Sequence, residues 1–358
     1  AAKTLTKLFD VRPALADATL AVHDVLTVYL GERLGLYDAL ASAPATPREL
    51  AGRTGTHPRY VREWLEQQAA AEILGCEDPS APAEERRFFL PGPAAEVLTE
   101  RDSLLWSAAR PRSLVALAGK LPALLDAFRT GEGISDGSED ARTAQADLGR
   151  ASFLRLLSTE WIPRLADVDA RLRADPPARV LDVGCGAGWA SIALAAGYPL
   201  VRADGLDLDP LAVEAARANA EAHGVGSRTS FHAADATSPA LPGGYDLVVA
   251  FESLHDMPRP VEALRAMRRL AAPAGTVLVV EEKVGEAFLL PASRNDRLNY
   301  GWSVLTCLPS AMCGSGAAGT GTLLRRETLL RYALQAGFSS IEDAGVPHDA
   351  WTFWRMRN

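Results

Sequence analysis

The sequence predicts an α/β protein: a mostly helical first part, then a seven-stranded, largely parallel sheet whose last strand runs antiparallel. Three observations carry this. Up to about Arg173 the chain shows helical periodicity and no convincing central strand. From Arg179 onward short β-rich runs alternate with helical stretches, the alternation of a parallel sheet with crossover helices. A length of 358 residues also exceeds what one core usually supports, so two domains are expected.

The second half parses as strands over 179–184, 201–208, 229–234, 245–251, 276–282, 339–345 and 351–357. Helices fall over 188–197, 210–223, 260–270 and 325–336. The last two strands are close enough to pair as an antiparallel edge hairpin. Asp175-Pro176-Pro177 breaks the chain just before the first strand.

In the first half, 18–30 and 31–40 read as two helices. Thr46-Pro47-Arg48-Glu49 is a helix start, with Thr as cap, Pro at the first position and Glu closing a capping box. The stretch 56–74 carries Val61, Leu65, Ala69 and Ile73 on one face. A charged turn then leads into Arg87-Phe88-Phe89-Leu90, a short strand ended by Pro91-Gly92-Pro93. Helix, helix and short hairpin make a winged-helix pattern. Residues 111–175 read as a helical connector: a polar loop at 131–140, then an amphipathic helix over 141–157 and a second segment to Arg173.

Composition narrows the classes. The formal net charge is −8, and residues 1–110 hold 12 Lys/Arg against 16 Asp/Glu, which disfavours nucleic acid. No continuous apolar run approaches the ~20 residues that span a bilayer, so no membrane association is expected. The start, AAKTLTKLFDVRP, lacks an apolar signal core. Cys76, Cys185, Cys307 and Cys313 form no CxxC pair and have no His at zinc-ligand spacing, so no metal and a reducing cytoplasm are expected.

The first strand of the sheet ends Val180-Leu181-Asp182-Val183-Gly184-Cys185-Gly186-Ala187-Gly188. A glycine-rich turn from strand into helix lets a ligand approach the backbone. Dinucleotides want G-x-G-x-x-G, with a pyrophosphate at the helix N-terminus. Here the third glycine comes one residue early, and Asp182 stands two residues before the first. A carboxylate there repels pyrophosphate and suits the ammonium of an amino acid, which makes the ligand a nucleoside carrying an amino acid. Asp207, at the end of the second strand, can accept both ribose hydroxyls. Asp235, at the end of the third, can accept an adenine amino hydrogen. Taken singly, each acid could be a cap or turn residue. Three acids at successive strand ends fall along one crevice.

This half, about 179–358, resembles the class I S-adenosylmethionine-dependent methyltransferases, with their seven-stranded Rossmann-like sheet. The resemblance implies S-adenosylmethionine as cofactor. Asp182, Gly184, Cys185, Gly186 and Gly188 would lie along its methionine part, Asp207 and Leu208 at its ribose, and Asp235 and Ala236 at its adenine. Ala234 and Phe251 would touch it. Through Arg59–Glu66 and Asn299–Pro309 the whole chain is similar to bacterial small-molecule methyltransferases with an N-terminal dimerisation domain. That implies a homodimer formed by a winged-helix dimerisation and lid domain over 1–110. It also implies a cofactor-binding catalytic domain over 176–358.

The fourth strand runs into Phe251-Glu252-Ser253-Leu254-His255-Asp256-Met257. His255 sits just past a strand end that faces the crevice. An ordinary imidazole, near pKa ~6.5, is neutral and basic at working pH, while a phenol is mostly protonated. The segment resembles the His-Asp site of plant-type O-methyltransferases, where the His is general base and a Glu after the fifth strand orients it. Glu281 takes that place here. A second orienting acid has no match near Thr322 to Arg326. Glu252 is a rival, as ammonium ligand or as base, and His255 read blandly is a loop imidazole bonded to a carbonyl.

The insertion 283–309 is rich in apolar and aromatic residues, among them Tyr300 and Trp302, and could roof the crevice. Trp106, Met257 and Met312 are further candidates for the substrate pocket, and Gly314 to Gly321 reads as a mobile loop. For any single one of these, packing against the helical domain is the commoner role. The expected function is methyl transfer to a small, largely apolar metabolite, O-methylation of a hydroxyl first. N- or C-methylation is the nearest alternative, and a non-methylating enzyme that keeps the cofactor fold is another.

Overall fold

The computed structural model describes residues 11–135, 137–237 and 241–358. Asp136 of the polar loop and the first ten residues of the segment inspected for a secretion signal lie outside the described residues. The chain divides into two compact units, Ala1–Ala118 and Gly119–Asn358.

The first unit is a winged helix. Helices Leu36–Ser42, Pro47–Thr54 and Pro58–Ala70 pack around Tyr37, Leu50, Val61, Leu65 and Phe88. Burying each such apolar side chain contributes roughly 1.5–3 kcal/mol. The Thr46 capping box forms as expected, with reciprocal bonds to Glu49. The wing is minimal: β1 (Gly75–Cys76) pairs antiparallel with β2 (Phe88–Phe89). Pro91-Gly92-Pro93 does more than end a strand, because it opens the helix Gly92–Thr99 with Pro at its first turn.

The two expected N-terminal helices are one, Val11–Arg33. Gly31 does not break it. An added Cβ there would come within 2.5 Å of Trp64 and Tyr37, so the missing side chain lets this helix lie close on the next. The break falls at Gly35, which takes φ 67° before Leu36–Ser42. By length and composition alone, Pro13–Arg33 is apolar enough to cross a bilayer, which corrects the expectation from the sequence. Asp17 and Asp24 interrupt the run and hid it. Charges inside a span are costly, and Asp24 accepts a hydrogen bond from Gln67 at 3.0 Å, holding that face on the winged helix.

The second unit is built on a seven-stranded sheet: β3 (Arg179–Val183), β4 (Arg202–Asp207), β5 (Thr229–Ala233), β6 (Tyr245–Phe251), β7 (Ala271–Glu282), β8 (Ser340–Asp343) and β9 (Trp351–Arg357). Their order is β5-β4-β3-β6-β7-β9-β8, and only β9 runs antiparallel to its neighbours. β3 and β6 read as continuous apolar runs because helices cover both faces of the sheet. Their buried residues feed two cores, one around Leu157, Trp161, Val249 and Phe353, the other around Leu181, Val248, Leu264 and Tyr332. The strand order reverses between β4-β3 and β3-β6, and open α/β sheets bind ligands outside the strand ends at such a point. The expected helix over 141–157 is Glu139–Ser152, continued by a π-helical turn, Phe153–Trp161.

Candidate cofactor and acceptor site

The glycine loop leaves β3 with Gly184, Gly186 and Gly188 at φ 75°, 51° and 81°, the left-handed region that side chains rarely take. Gly184 is crowded, since an added Cβ would meet Ser253 at 2.5 Å. At Gly186 nothing lies within 4 Å, so that face is open to a ligand. Ser253 Oγ donates to Val183 O at 2.9 Å, tying the loop after β6 to the loop after β3.

Asp182 is fully buried at the base of this loop. Its Oδ2 accepts from Ser191 Oγ at 3.1 Å, from the helix Trp189–Gly197, while Oδ1 is buried with no hydrogen-bond partner. Desolvation pushes its carboxyl up to about 7, and the Asp207 charge adds to this. A buried acceptor left unmet is costly, and a cation placed there would offset that cost. Asp207 is held from two sides, by Gly186 N at 2.8 Å to Oδ2 and Asp209 N at 2.9 Å to Oδ1, which leaves each oxygen a further lone pair. Burial raises its carboxyl as well. Leu208 is exposed beside it, and Ala234 N donates to Asp207 O at 2.9 Å. Cys185 is buried under the loop, where desolvation keeps its thiol protonated.

Asp235 is half-exposed. It accepts from Thr237 N at 2.8 Å and Thr237 Oγ1 at 2.7 Å, with Arg259 at 3.3 Å. Burial raises its carboxyl, but the Thr237 bonds outweigh that and leave it below the usual range. Ala236 packs at the margin of the second core. Phe251 lies in the aromatic cluster of the first core, edge-on to Phe153 at 5.1 Å, so its ring is turned into the core. Arg142, on the helix Glu139–Ser152, pairs with Asp209 at 3.0 Å, and Arg150 lies over the Trp189 ring at 5.2 Å. That helix therefore reaches the segments that follow β4 and the glycine loop.

Past β6 the chain turns sharply. Glu252 takes φ 48°, a strained conformation for a residue with a side chain, and such strain clusters at functional sites. Its Oε1 accepts from the Trp351 indole, and desolvation together with Glu282 raises its carboxyl. The next turn buries His255. Its Nδ1 bonds Glu281 Oε2 on β7, and Glu281 Oε1 accepts from Leu254 N at 3.1 Å and His255 N at 3.3 Å. Glu281 is fully buried, so three bonds to one carboxylate fix the imidazole. With Nδ1 on Glu281, Nε2 points away from β7. Asp256 Oδ1 lies 3.5 Å from it, and the Cys307 thiol is close by.

The sequence predicts an ordinary, neutral imidazole at His255, and the site differs. Burial alone would lower its pKa, but Glu281 and Asp256, with the Cys307 thiol, raise it well above the ordinary value. These neighbours favour the protonated ring in the free site.

The structure brings Met257 to the glycine loop, 3.7 Å from where a Gly184 Cβ would stand. Tyr300 and Trp302 share the helix Arg294–Trp302 of the insertion. Tyr300 accepts from Arg325 at 3.0 Å, edge-on to Phe288. Met312 lies against Gly133 and Gly319. The glycine stretch 314–321 is pinned where Gly321 N donates to His255 O at 3.2 Å and Ala318 N to Pro258 O at 2.8 Å. Trp106 belongs to the first unit and is buried there. Sequence reading gave Asp256 no separate role and missed Cys307 beside His255, Ser191 beneath Asp182, and Arg142 beside Asp209.

The sheet order, the open glycine loop and the three strand-end acids define the class: an S-adenosylmethionine-dependent methyltransferase domain. Residues 174–325 match the family described as methyltransferase domain, and residues 21–100 match the Rv2258c-like winged HTH domain. The chain therefore carries a methyltransferase domain behind a winged helix-turn-helix domain of that kind. It is 39% identical over 116 residues to trans-aconitate 2-methyltransferase of Streptomyces avermitilis, covering 31% of this chain and 42% of that one. It is 29% identical over 186 residues to the ubiquinone biosynthesis O-methyltransferase of Burkholderia pseudomallei, covering 52% and 74%. The chain spans less than half the length of the first curated relatives it matches. In fold it is similar to human N-acetylserotonin methyltransferase in complex with SAM, at TM-score 0.66 and 17% identity, over 98% of each chain.

Proposed function

We propose that the protein transfers a methyl group from S-adenosylmethionine to a hydroxyl of a small, largely apolar metabolite, with His255 as general base. The observation that carries this is the Glu281–His255 pair, held at the end of β6 and tied through Ser253 to the glycine loop. When bound, the cofactor supplies an electrophilic methyl on a sulfonium. The protein's own residues do the rest. Asp182 and the glycine loop hold the methionine part, and Asp207 takes the ribose hydroxyls. The residues around Asp235 border the adenine, and Glu281 fixes His255 so that Nε2 faces the acceptor. His255 must first lose its proton to solvent. It then takes the hydroxyl proton as the oxygen attacks, a contribution of about 10²–10⁴-fold. Met257, Tyr300, Trp302 and Met312 supply apolar surface and exclude water. The O-methyltransferase among the relatives supports oxygen as the methylated atom. Paired phenol and aniline substrates of one shape test it. Methyl ether formation that depends on His255 is expected, and methylation of the aniline alone, indifferent to His255→Ala, would move the reading to N-methylation.

Asp182 gives the cofactor site a pH dependence. Its folded pKa of about 7 lies above the ordinary carboxylate value, so the apo domain loses stability as pH rises through that interval. The cofactor ammonium favours the ionised form. Affinity should therefore increase with pH, by about tenfold between pH 6 and pH 8. Calorimetry at the two pH values measures it, and Asp182→Asn should flatten the difference. Equal affinity at both pH values in wild type contradicts the assignment.

The Val11–Arg33 helix supports a homodimer. Asp24, Thr27, Val28 and Gly31 face the winged helix, and Trp64 Nε1 donates to Thr27 O at 2.8 Å. On the opposite side Leu15, Val22, Leu26 and Leu30, at spacings of seven, four and four, form an exposed apolar stripe. A second copy of the same helix is its natural cover. Val22→Glu with Leu26→Glu should give monomers by light scattering, and an unchanged mass would contradict the dimer. DNA binding is disfavoured, because Arg59, Arg62, Arg86 and Arg87 are spent on Glu63, Glu84, Glu66 and Glu49. The four free thiols fit a reducing, cytoplasmic setting.

A further inference from the structure

Beside the acceptor face of His255 lies a cluster that the base role does not use. His255 Nε2, Asp256 Oδ1 and Cys307 Sγ all lie within 4.8 Å of one another. Nε2 and Oδ1 are 3.5 Å apart, and Oδ1 is buried with no hydrogen-bond partner. Among the described residues this is the one group of three or more such donors with metal-ligand spacing. We propose that these three atoms bind one borderline divalent cation of the Zn²⁺ class, leaving a fourth coordination position open.

The donor set fits that class. Nitrogen, thiolate and carboxylate at tetrahedral Zn²⁺ stand ~3.3–3.6 Å apart, given bonds of about 2.0–2.3 Å. The observed His-Asp separation already matches, and the thiol has about an ångström to move. Glu281 supplies the outer support that a metal-bound imidazole requires. It accepts from Nδ1, which fixes the tautomer and presents the Nε2 lone pair, as in carboxylate–histidine–zinc arrangements. The cation also meets Asp256 Oδ1, which has no partner within hydrogen-bond distance. Binding displaces the Nε2 proton of His255 and ionises the Cys307 thiol, and both protons go to solvent. Because Nε2 can serve only one partner, metal-loaded protein cannot use His255 as base, and Zn²⁺ is expected to inhibit methyl transfer. That consequence rests on the proposed function; the metal site does not.

Titration of the full chain with Co²⁺ tests the site without any acceptor or turnover. One equivalent should saturate a near-ultraviolet thiolate-to-cobalt charge-transfer band, with visible absorption as intense as a four-coordinate site gives. Cys307→Ser should abolish the charge-transfer band while retaining cofactor binding, which reports its folding. Asp256→Asn and Glu281→Gln should each weaken Co²⁺ binding by about 10–100-fold. Cys313→Ser should leave the band unchanged. A wild-type protein with no saturable band, or a band that survives Cys307→Ser, would overturn the site while leaving the methyl-transfer reading intact.

Discussion

His255→Ala should lower kcat by about 10²–10⁴-fold and leave the affinity for S-adenosylmethionine within a factor of two or so. The imidazole is held by Glu281 on β7, and the glycine loop by its own backbone and Asp207, so cofactor affinity does not depend on the ring. What disappears is the acceptor's proton sink. Glu281→Gln is the informative companion. It removes the charge that holds the imidazole and leaves Leu254 N and His255 N with a weaker acceptor. Glu281 is a positioning residue, so its substitution should reduce kcat by less than that of His255. Steady-state kinetics with a phenolic acceptor, beside calorimetry with the cofactor, separates the two effects. A His255→Ala protein with undiminished kcat would remove the base from the account.

The second large effect is at Asp207. Its carboxylate is set by Gly186 N and Asp209 N before any ligand arrives, so the cofactor gains paired hydroxyl bonds without ordering the side chain. Hydrogen bonds to a charged acceptor contribute roughly 1.5–3 kcal/mol, which places Asp207→Ala about 10- to 150-fold weaker in cofactor affinity. Loss of the two backbone anchors loosens the glycine loop and pushes the value toward the upper end. Asp207→Asn keeps the shape and lies between. An unchanged dissociation constant in Asp207→Ala would mean that the ribose is held elsewhere.

The cofactor half of the site was legible because its information is local. A strand, a glycine turn and a helix follow one another in sequence, and left-handed glycines announce themselves. Each strand-end acid lies within a few residues of its own strand. Glu281 was reachable because β7 neighbours β6, so a residue at its end returns to the same crevice. Cys307 was not. It comes from an insertion with no periodic signal, some fifty residues after His255, and only the tertiary path brings its sulfur to Nε2. Asp256 was in plain view, but its meaning depends on where His255 points. Phe251 is a strand-end position near the crevice whose ring packs with Phe153 and Phe353, a tertiary contact no local pattern announces. At the N-terminus, Gly31 read as a helix break because glycine is a poor helix former. Close approach of Trp64 and Tyr37 overrides that local preference. The apolar stripe on the same helix was hidden because Asp17 and Asp24 break any continuous hydrophobic run.

The most direct test of the central claim is formation of S-adenosylhomocysteine when the purified protein is given S-adenosylmethionine and a panel of small phenols. The account predicts S-adenosylhomocysteine and a methyl ether in equal amounts with at least one acceptor, both lost on His255→Ala. Tight cofactor binding with no S-adenosylhomocysteine from any nucleophile, whether phenol, amine or activated carbon, would contradict it and make the cofactor fold a scaffold for different chemistry.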